Sequence, residues 1–260
     1  MTPLDAAYAA MEQDGADEAD RLRFYEQLAD GEYFLLLEEE ALGTDIKPRL
    51  FPLESGPVVL IFDLEERLAE FSGGVAPYAA LPGRVIAQML AGQGVGLGVN
   101  LGVAPSQMIL PPEALDWLSG MLEAEPEAAE AHPEQFTAPG VLPPRLIAGL
   151  EAKLARGGGV AQAAYLAAVT YRGGRRGHML AFLDAAAGAE AALARTAREA
   201  LAFSGVEAGE IDVAFLSSTD PATLAIARVG RRFDMPRPAA PEPTAPKAPG
   251  TDPDRPPKLR

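Results

Sequence analysis

From Gly94 to Val99 glycine alternates with an apolar residue, Gly-Val-Gly-Leu-Gly-Val, before the chain reads Asn100-Leu101-Gly102. In an extended chain the side-chain period is two, so Val95, Leu97 and Val99 share one face and the other face is bare backbone. Such a strand is buried, and something else packs closely on its glycine side. The segments from Gly31 to Trp117 can all be laid out around it. The run does not make a dinucleotide loop. No three of its glycines fit G-x-G-x-x-G, and it leads into Pro105 rather than into a helix that could hold a pyrophosphate.

Upstream, Thr2-Pro3 marks a helix start, and a second helix is expected from about Asp17 to Ala29. Tyr33 to Leu37 is short, apolar and bounded by Gly31 and by Glu38-Glu39-Glu40, which reads as a strand. Pro48 to Leu53 and Pro57 to Phe62 make two more, joined as a hairpin through Glu54-Ser55-Gly56. Asp63 and Glu66 have capping-box spacing and start a helix from Leu64 to Phe71. Tyr78 to Leu81 is extended, Gly83 to Ala91 helical behind Pro82, Gln107 to Leu110 a strand, and Ala114 to Leu122 a closing helix. This predicts an α/β (α+β) domain over residues 1–122, helices packed on one mixed sheet.

Glu123 to Gly140 is rich in Ala, Glu and Pro, without a positive charge or a sustained apolar period, and is expected to be an acidic linker. A second mixed sheet-and-helix domain is expected over 141–234. Its order is a helix from Arg145, a hairpin of Val160 to Tyr171 with Gly177 to Leu183, an alanine-rich helix to Phe203, a strand from Ile211 to Leu216, a helix from Pro221, and an edge strand at Arg231-Arg232-Phe233. Nine prolines fall after Met235, so residues 235–260 are expected to be a disordered tail.

The net charge of −15 is unevenly spread. Residues 1–122 carry −14, 123–141 carry −5 and 142–234 carry +2. An acidic first domain repels phosphate backbones, which argues against nucleic-acid binding. The charge split predicts attraction between the two halves. The basic hairpin tip with Arg172, Arg175 and Arg176 is the candidate interaction site, toward the first domain or an acidic partner. No cysteine is present, which excludes disulfides, thiolate metal sites and cysteine nucleophiles, and two histidines do not make a metal site. The first residues lack a basic and an apolar signal region, and no apolar run reaches the length of a membrane span. A cytoplasmic protein without cofactor or metal is expected.

Two segments remain as candidate ligand sites. Asn100, the polar residue within the glycine strand and its turn, fits a left-handed turn position, or else the lining of a small-molecule groove. Ser217-Ser218-Thr219-Asp220-Pro221 fits a helix N-cap followed by proline at the first turn. None of the serines has a general base in reach of its pattern, so no catalytic constellation is read. The expectation is a non-enzymatic protein that acts through a protein partner. The alternative is a binder of amino acids or nucleotides, or an enzyme, using a groove beside Asn100.

Four motifs in this order resemble one known family. They are Phe51-Pro52-Leu53 entering a hairpin, Val58 to Asp63 leading to a helix with Phe71, Val95 to Asn100 with its Asn-Leu-Gly turn, and Leu110-Pro111-Pro112-Glu113 before a helix. Together they resemble the N-terminal domain of the SseB (enhanced serine sensitivity) family of bacterial proteins, over about Leu22 to Leu122. Leu142 to Phe233 is similar to that family's C-terminal domain. Many members have Asn-Pro-Gly where this chain has Asn100-Leu101-Gly102. The resemblance implies a soluble bacterial protein named for a growth phenotype involving serine, with no catalytic residues to carry over.

Overall fold

The computed structural model describes residues 1–41, 43, 45–123, 132–205 and 211–235. Helices α1 (Pro3–Met11) and α2 (Glu18–Asp30) open the chain. Both are started by capping boxes, Thr2 with Asp5 and Asp17 with Asp20, in which each side chain satisfies the other residue's backbone N–H. Strands β1 (Glu32–Leu36), β2 (Phe51–Leu53), β3 (Gly56–Phe62), β4 (Tyr78–Pro82), β5 (Gly96–Val99) and β6 (Met108–Leu110) make one mixed sheet. Its order is β4-β1-β3-β5-β6, with β2 beside β3 in the expected hairpin. Helices α3 (Glu65–Ser72), α4 (Gly83–Leu90) and α5 (Pro112–Glu123) connect and cover it.

The glycine strand is β5, parallel to β3 and antiparallel to β6. Leu97 and Val99 point into the larger core with Phe24, Leu28, Ile61, Ile86 and Leu118. On the other face a Cβ at Gly96 would lie 2.8 Å from the Leu110 carbonyl oxygen, and one at Gly98 would lie 2.5 Å from Leu60 Cδ2. The alternation is therefore a packing requirement on the side where Leu60 and Leu101 close over the strand. That second face holds a smaller cluster of Leu36, Val58, Leu60, Phe62 and Leu68, over which α3 lies. The capping box expected at Asp63 does not form. Leu64 is the N-cap of α3 and makes no side-chain cap bond, because Asp63 is drawn to Thr2 and Arg67 instead.

The second half contains β7 (Pro133–Thr137), α6 (Pro144–Arg156), β8 (Ala163–Tyr171), β9 (Arg176–Leu183), α7 (Glu190–Phe203), β10 (Ile211–Leu216), α8 (Pro221–Val229) and β11 (Arg231–Asp234). The sheet order is β10-β9-β8-β11, and β7 also pairs with β8. β11 lies along Ala163 to Leu166 and β7 along Ala168 to Tyr171, so the two share one side of β8 end to end. Helices α6 and α7 pack on one face and α8 on the other. Two sheets, each with helices, form the α/β architecture expected.

Residues 133–137 were expected to be linker, yet they form β7. Its sequence Pro-Glu-Gln-Phe-Thr has one large apolar residue, Phe136, which packs in the small cluster with Val169 and Ile226. One anchor on an edge strand leaves no apolar period to read. Residues 124–131 of the expected linker and nearly all of the expected tail lie outside the described residues. Met235, the first residue of that tail, is buried against α6 in the second core.

Glycines in close contact and glycines in open space should respond oppositely to a methyl group. A Cβ at Gly83 would lie 1.8 Å from the Leu28 carbonyl oxygen, whereas one at Gly120, inside α5, meets nothing within 4 Å. Gly83→Ala should cost about 3 kcal/mol or more. Gly120→Ala should stabilise by about 0.5–1 kcal/mol, and urea denaturation of both variants checks the pair.

Candidate functional site

Asn100 follows β5 in the left-handed conformation, with φ +48°, and is wholly buried. Its backbone N–H donates to the Ile61 carbonyl at 2.9 Å, extending the β3–β5 ladder by one step. Its side chain then continues the pairing: Oδ1 accepts from the Asp63 N–H at 3.1 Å, and Nδ2 donates to Ser106 Oγ at 2.9 Å. Ser106 donates onward to Asp5 Oδ1 at 2.6 Å. Asp5 also accepts two bonds from Arg67, at 3.0 and 2.6 Å, and Arg67 reaches Asp63 at 2.7 Å. Thr2 closes the ring by donating to Asp63 at 2.6 Å.

This network ties the start of α1, the end of β3, the Asn100 turn and the loop before β6 into one unit. Burial opposes the charge on Asp5, but the Arg67 bonds, the Ser106 hydroxyl and the Thr2 N–H outweigh it and hold the carboxyl well below its usual range. Asn100 thus faces inward, onto protein groups.

A second cluster joins the two sheets. Lys153 of α6 is buried with its ammonium 2.8 Å from Asp30, 3.3 Å from Glu199 and 3.5 Å from Glu26. Asp30 and Glu26 belong to α2, and Glu199 to α7. Arg84 of α4 bridges Asp30 at 2.7 Å and Glu199 at 3.2 Å; Arg156 adds a contact to Asp30 at 3.0 Å. Burial raises the Asp30 pKa, but the charges and hydrogen bonds of Lys153 and Arg84 win and lower it. Phe203, the last residue of α7, inserts into the core of the first half, and Lys153 Nζ lies 5.5 Å from its ring centre.

Beside the cluster, α2, α6 and α7 leave a cleft of about 240 Å³, lined among others by Ala19, Asp20, Arg23, Arg145 and Gly149. Its charged groups already have partners: Arg145 pairs with Asp17 at 2.7 Å and Asp20 at 3.0 Å, and Arg23 with Glu26 at 2.6 Å.

The two halves are therefore held by opposite charges, but the expected arginines do not carry the contact. Arg172 lies 3.7 Å from Glu134, and Arg175 lies 2.9 Å from Asp212 and stacks on Tyr171, all within the second half. Arg176 is exposed at the first position of β9. The Ser217 to Pro221 segment is the expected cap: Asp220 accepts from the Ala222 N–H at 2.8 Å, with Pro221 in the first turn. Among the described residues no group of three or more His, Asp or Glu side chains is placed to hold a metal ion. No helix of those residues is long and apolar enough to cross a membrane.

Lys153 was legible as an anomaly. Leu146, Leu150, Lys153 and Leu154 recur at helical spacing, which puts a lysine on the apolar stripe of α6. Glu26 lies in the same way between Leu22 and Ala29 on α2. A charge on a buried stripe calls for a buried partner, and the partners were each other.

The sheet order, the β2–β3 hairpin and the Asn100 turn are features of the segment that carries the motifs quoted above, and residues 4–117 match the model of the SseB protein N-terminal domain. Residues 4–117 are an SseB N-terminal domain. No curated protein and no solved structure matches it. The SseB N-terminal domain thus spans α1 to the middle of α5, and all of the Asn100 network except Thr2 lies within it.

Two predictions follow from the two networks. Asn100→Gly keeps the left-handed turn but strands the Asp63 N–H and Ser106, a loss of about 1–3 kcal/mol. Asn100→Ala should cost about 1 kcal/mol beyond that for the left-handed backbone, as read by chemical denaturation. Lys153→Met removes the one cation shared by all three carboxylates, leaving Glu26 to Arg23 and Asp30 and Glu199 to the part-exposed Arg84 and Arg156, and should cost about 3 kcal/mol at neutral pH. Asp30 ionises more readily folded than unfolded, so its stabilisation is full above the unfolded pKa of about 4 and is lost as the pH falls through the folded value. The Lys153→Met penalty should accordingly shrink below about pH 4, measured by urea denaturation as a function of pH.

Proposed function

We propose that this protein, which carries an SseB N-terminal domain, acts by binding another protein and not by catalysis. The observation that carries the reading is an apolar, acid-rimmed surface on the first sheet. Six of the twelve exposed large apolar side chains among the described residues lie between Leu50 and Tyr78. Phe51 packs edge-on to Phe71, Phe71 packs on Phe62, and Tyr78 packs edge-on to Phe34. Phe34 and Phe51 pack against the smaller core cluster, of which Phe62 is a member, and α3 lies over it. Glu65, Glu66 and Glu70 are exposed on α3, the helix that carries Phe71.

Exposed apolar side chains gathered in one segment, here Phe71 and Tyr78 with the half-buried Phe51 and Phe34 beside them, are characteristic of binding sites. The acidic rim selects a partner with apolar side chains flanked by lysine or arginine. A cytoplasmic location, a bacterial role connected with serine sensitivity, and a C-terminal domain of the same family in residues 142–233 are parts of this proposal. The alternative, a small ligand beside Asn100, has less support, because Asn100 is enclosed and bonded to Asp63 and Ser106.

A photo-crosslinking residue at Leu53, compared with one at exposed Arg195 on α7, tests the reading in native lysate. The expected result is a discrete protein adduct at position 53 only, lost in Phe71→Asp and weakened at about 500 mM salt. Equal adducts at both positions would count against it. So would a thermal shift with an amino acid or nucleotide that disappears in Asn100→Leu, which would favour the small-ligand reading instead.

A further inference from the structure

β10 ends the second sheet, paired in parallel with β9 on one side and, among the described residues, with nothing on the other. Its sequence, Ile-Asp-Val-Ala-Phe-Leu, is that of an interior strand. Ile211 and Val213 pack toward the core under α6 and α7, while Ala214 and Leu216 pack toward the opposite cluster. A strand apolar on both faces belongs in the middle of a sheet, yet β10 has no residue in the fully buried class.

The other edges are blunted in recognised ways. β4 follows Pro77 and ends at Pro82, β2 contains Pro52, and β6 has three residues. β7 starts at Pro133 with a register shift, and β11 carries Arg231, Arg232 and Asp234. β10 has no proline and no lysine or arginine. Its one charge, Asp212, is bound inside its own sheet by the Tyr171 hydroxyl and Arg175.

We infer that the protein self-associates through β10, two copies pairing this strand antiparallel to make one continuous sheet. The register follows from the hydrogen bonding. The Leu216 carbonyl accepts from the Asp184 N–H at 2.9 Å, so residues 212, 214 and 216 turn their backbone groups toward β9. Ile211, Val213 and Phe215 turn theirs outward. Antiparallel partners must both face the shared side, which places the two-fold axis at Val213, with Ile211 of one copy opposite Phe215 of the other.

In that register Asp212 stands opposite Ala214, so the two aspartates do not oppose each other. Phe215, already stacked on Phe182 and still 37% exposed, gains cover from the second copy's Ile211. The charge distribution agrees with the choice of a second copy as occupant. Residues 142–234 carry +2 and can approach their own image, whereas the first half at −14 repels its own. A foreign strand would satisfy the same edge but would leave the purified protein monomeric.

Light scattering on the full chain from low to high micromolar concentration should show a species of twice the 27.3 kDa chain mass. Val213→Arg, which sets like charges face to face at the axis, should give the monomer. The cysteine-free background supplies a second test that does not depend on how Val213→Arg folds. Paired Cα atoms across the axis lie about 5.5 Å apart, within disulfide reach. Val213→Cys should therefore oxidise to a linked dimer, and Ala80→Cys, exposed on β4, should not. A single chain-mass species at every concentration overturns the inference, and so does a dimer in which Val213→Cys links no faster than Ala80→Cys.

Discussion

Lys153 and its three carboxylates are the interaction on which the arrangement of the two halves depends. Glu26 and Asp30 come from α2 and Glu199 from α7, so the ammonium satisfies charges from both sheets' helices at once. A buried charge cluster of this kind contributes little net stability compared with apolar packing of the same volume, because each ion is desolvated. Its effect is on geometry. Any other docking of α6 on α2 leaves ions unpaired out of water, a cost of several kcal/mol per ion, and so the cluster selects one orientation. Close packing then fills in around it: a Cβ at Gly205 would fall 2.5 Å from Ala19 Cβ, and Phe203 occupies the first core.

The Asn100 network performs the same kind of selection within the first half. Strand β5 ends where the glycine alternation ends, and the chain must reverse to bring β6 back antiparallel. A left-handed residue makes that turn, and asparagine tolerates the conformation while adding two side-chain bonds. Those bonds reach Asp63 at the end of β3 and, through Ser106, Asp5 in α1. The side chain that makes the turn therefore also positions the first helix against the sheet. A ligand role would compete with this one for the same atoms.

What the sequence made legible follows the physics of period and punctuation. The helices starting at Pro3, Glu18, Gly83 and Pro221 have caps or prolines at fixed offsets, and strands β3, β8 and β10 are long apolar runs between turn residues. The glycine strand was readable because alternation has one structural meaning. β7 was not, since its pairing energy comes from backbone bonds to β8 and a single phenylalanine. The capping box at Asp63 was misread for a different reason. The spacing to Glu66 is local, but Thr2 and Arg67 compete for the same carboxylate, and Thr2 is brought there by tertiary contact. The charge asymmetry likewise predicted attraction between the halves without fixing its carriers. Arg172 and Arg175 sit on an exposed turn where nearby Glu134 and Asp212 are reached first, whereas Lys153 is placed by its neighbours on the α6 stripe.

The same asymmetry organises the remaining surface. An apolar patch in a neutral setting invites self-association, but the rings between Phe51 and Tyr78 are set in a segment at −14, and two such faces repel each other within the Debye length of about 8 Å. That face can stay exposed and monomeric while remaining open to a partner of opposite charge. The second half, near neutrality, has no such protection, and its other edges are instead closed by proline and a register shift at β7 and by arginine at β11. β10 is the edge where none of these devices is present. In a chain that guards its other edges, an unguarded interior-type strand is a surface shaped by contact, and the charge on each half determines whether that contact is with a different molecule or with its own copy.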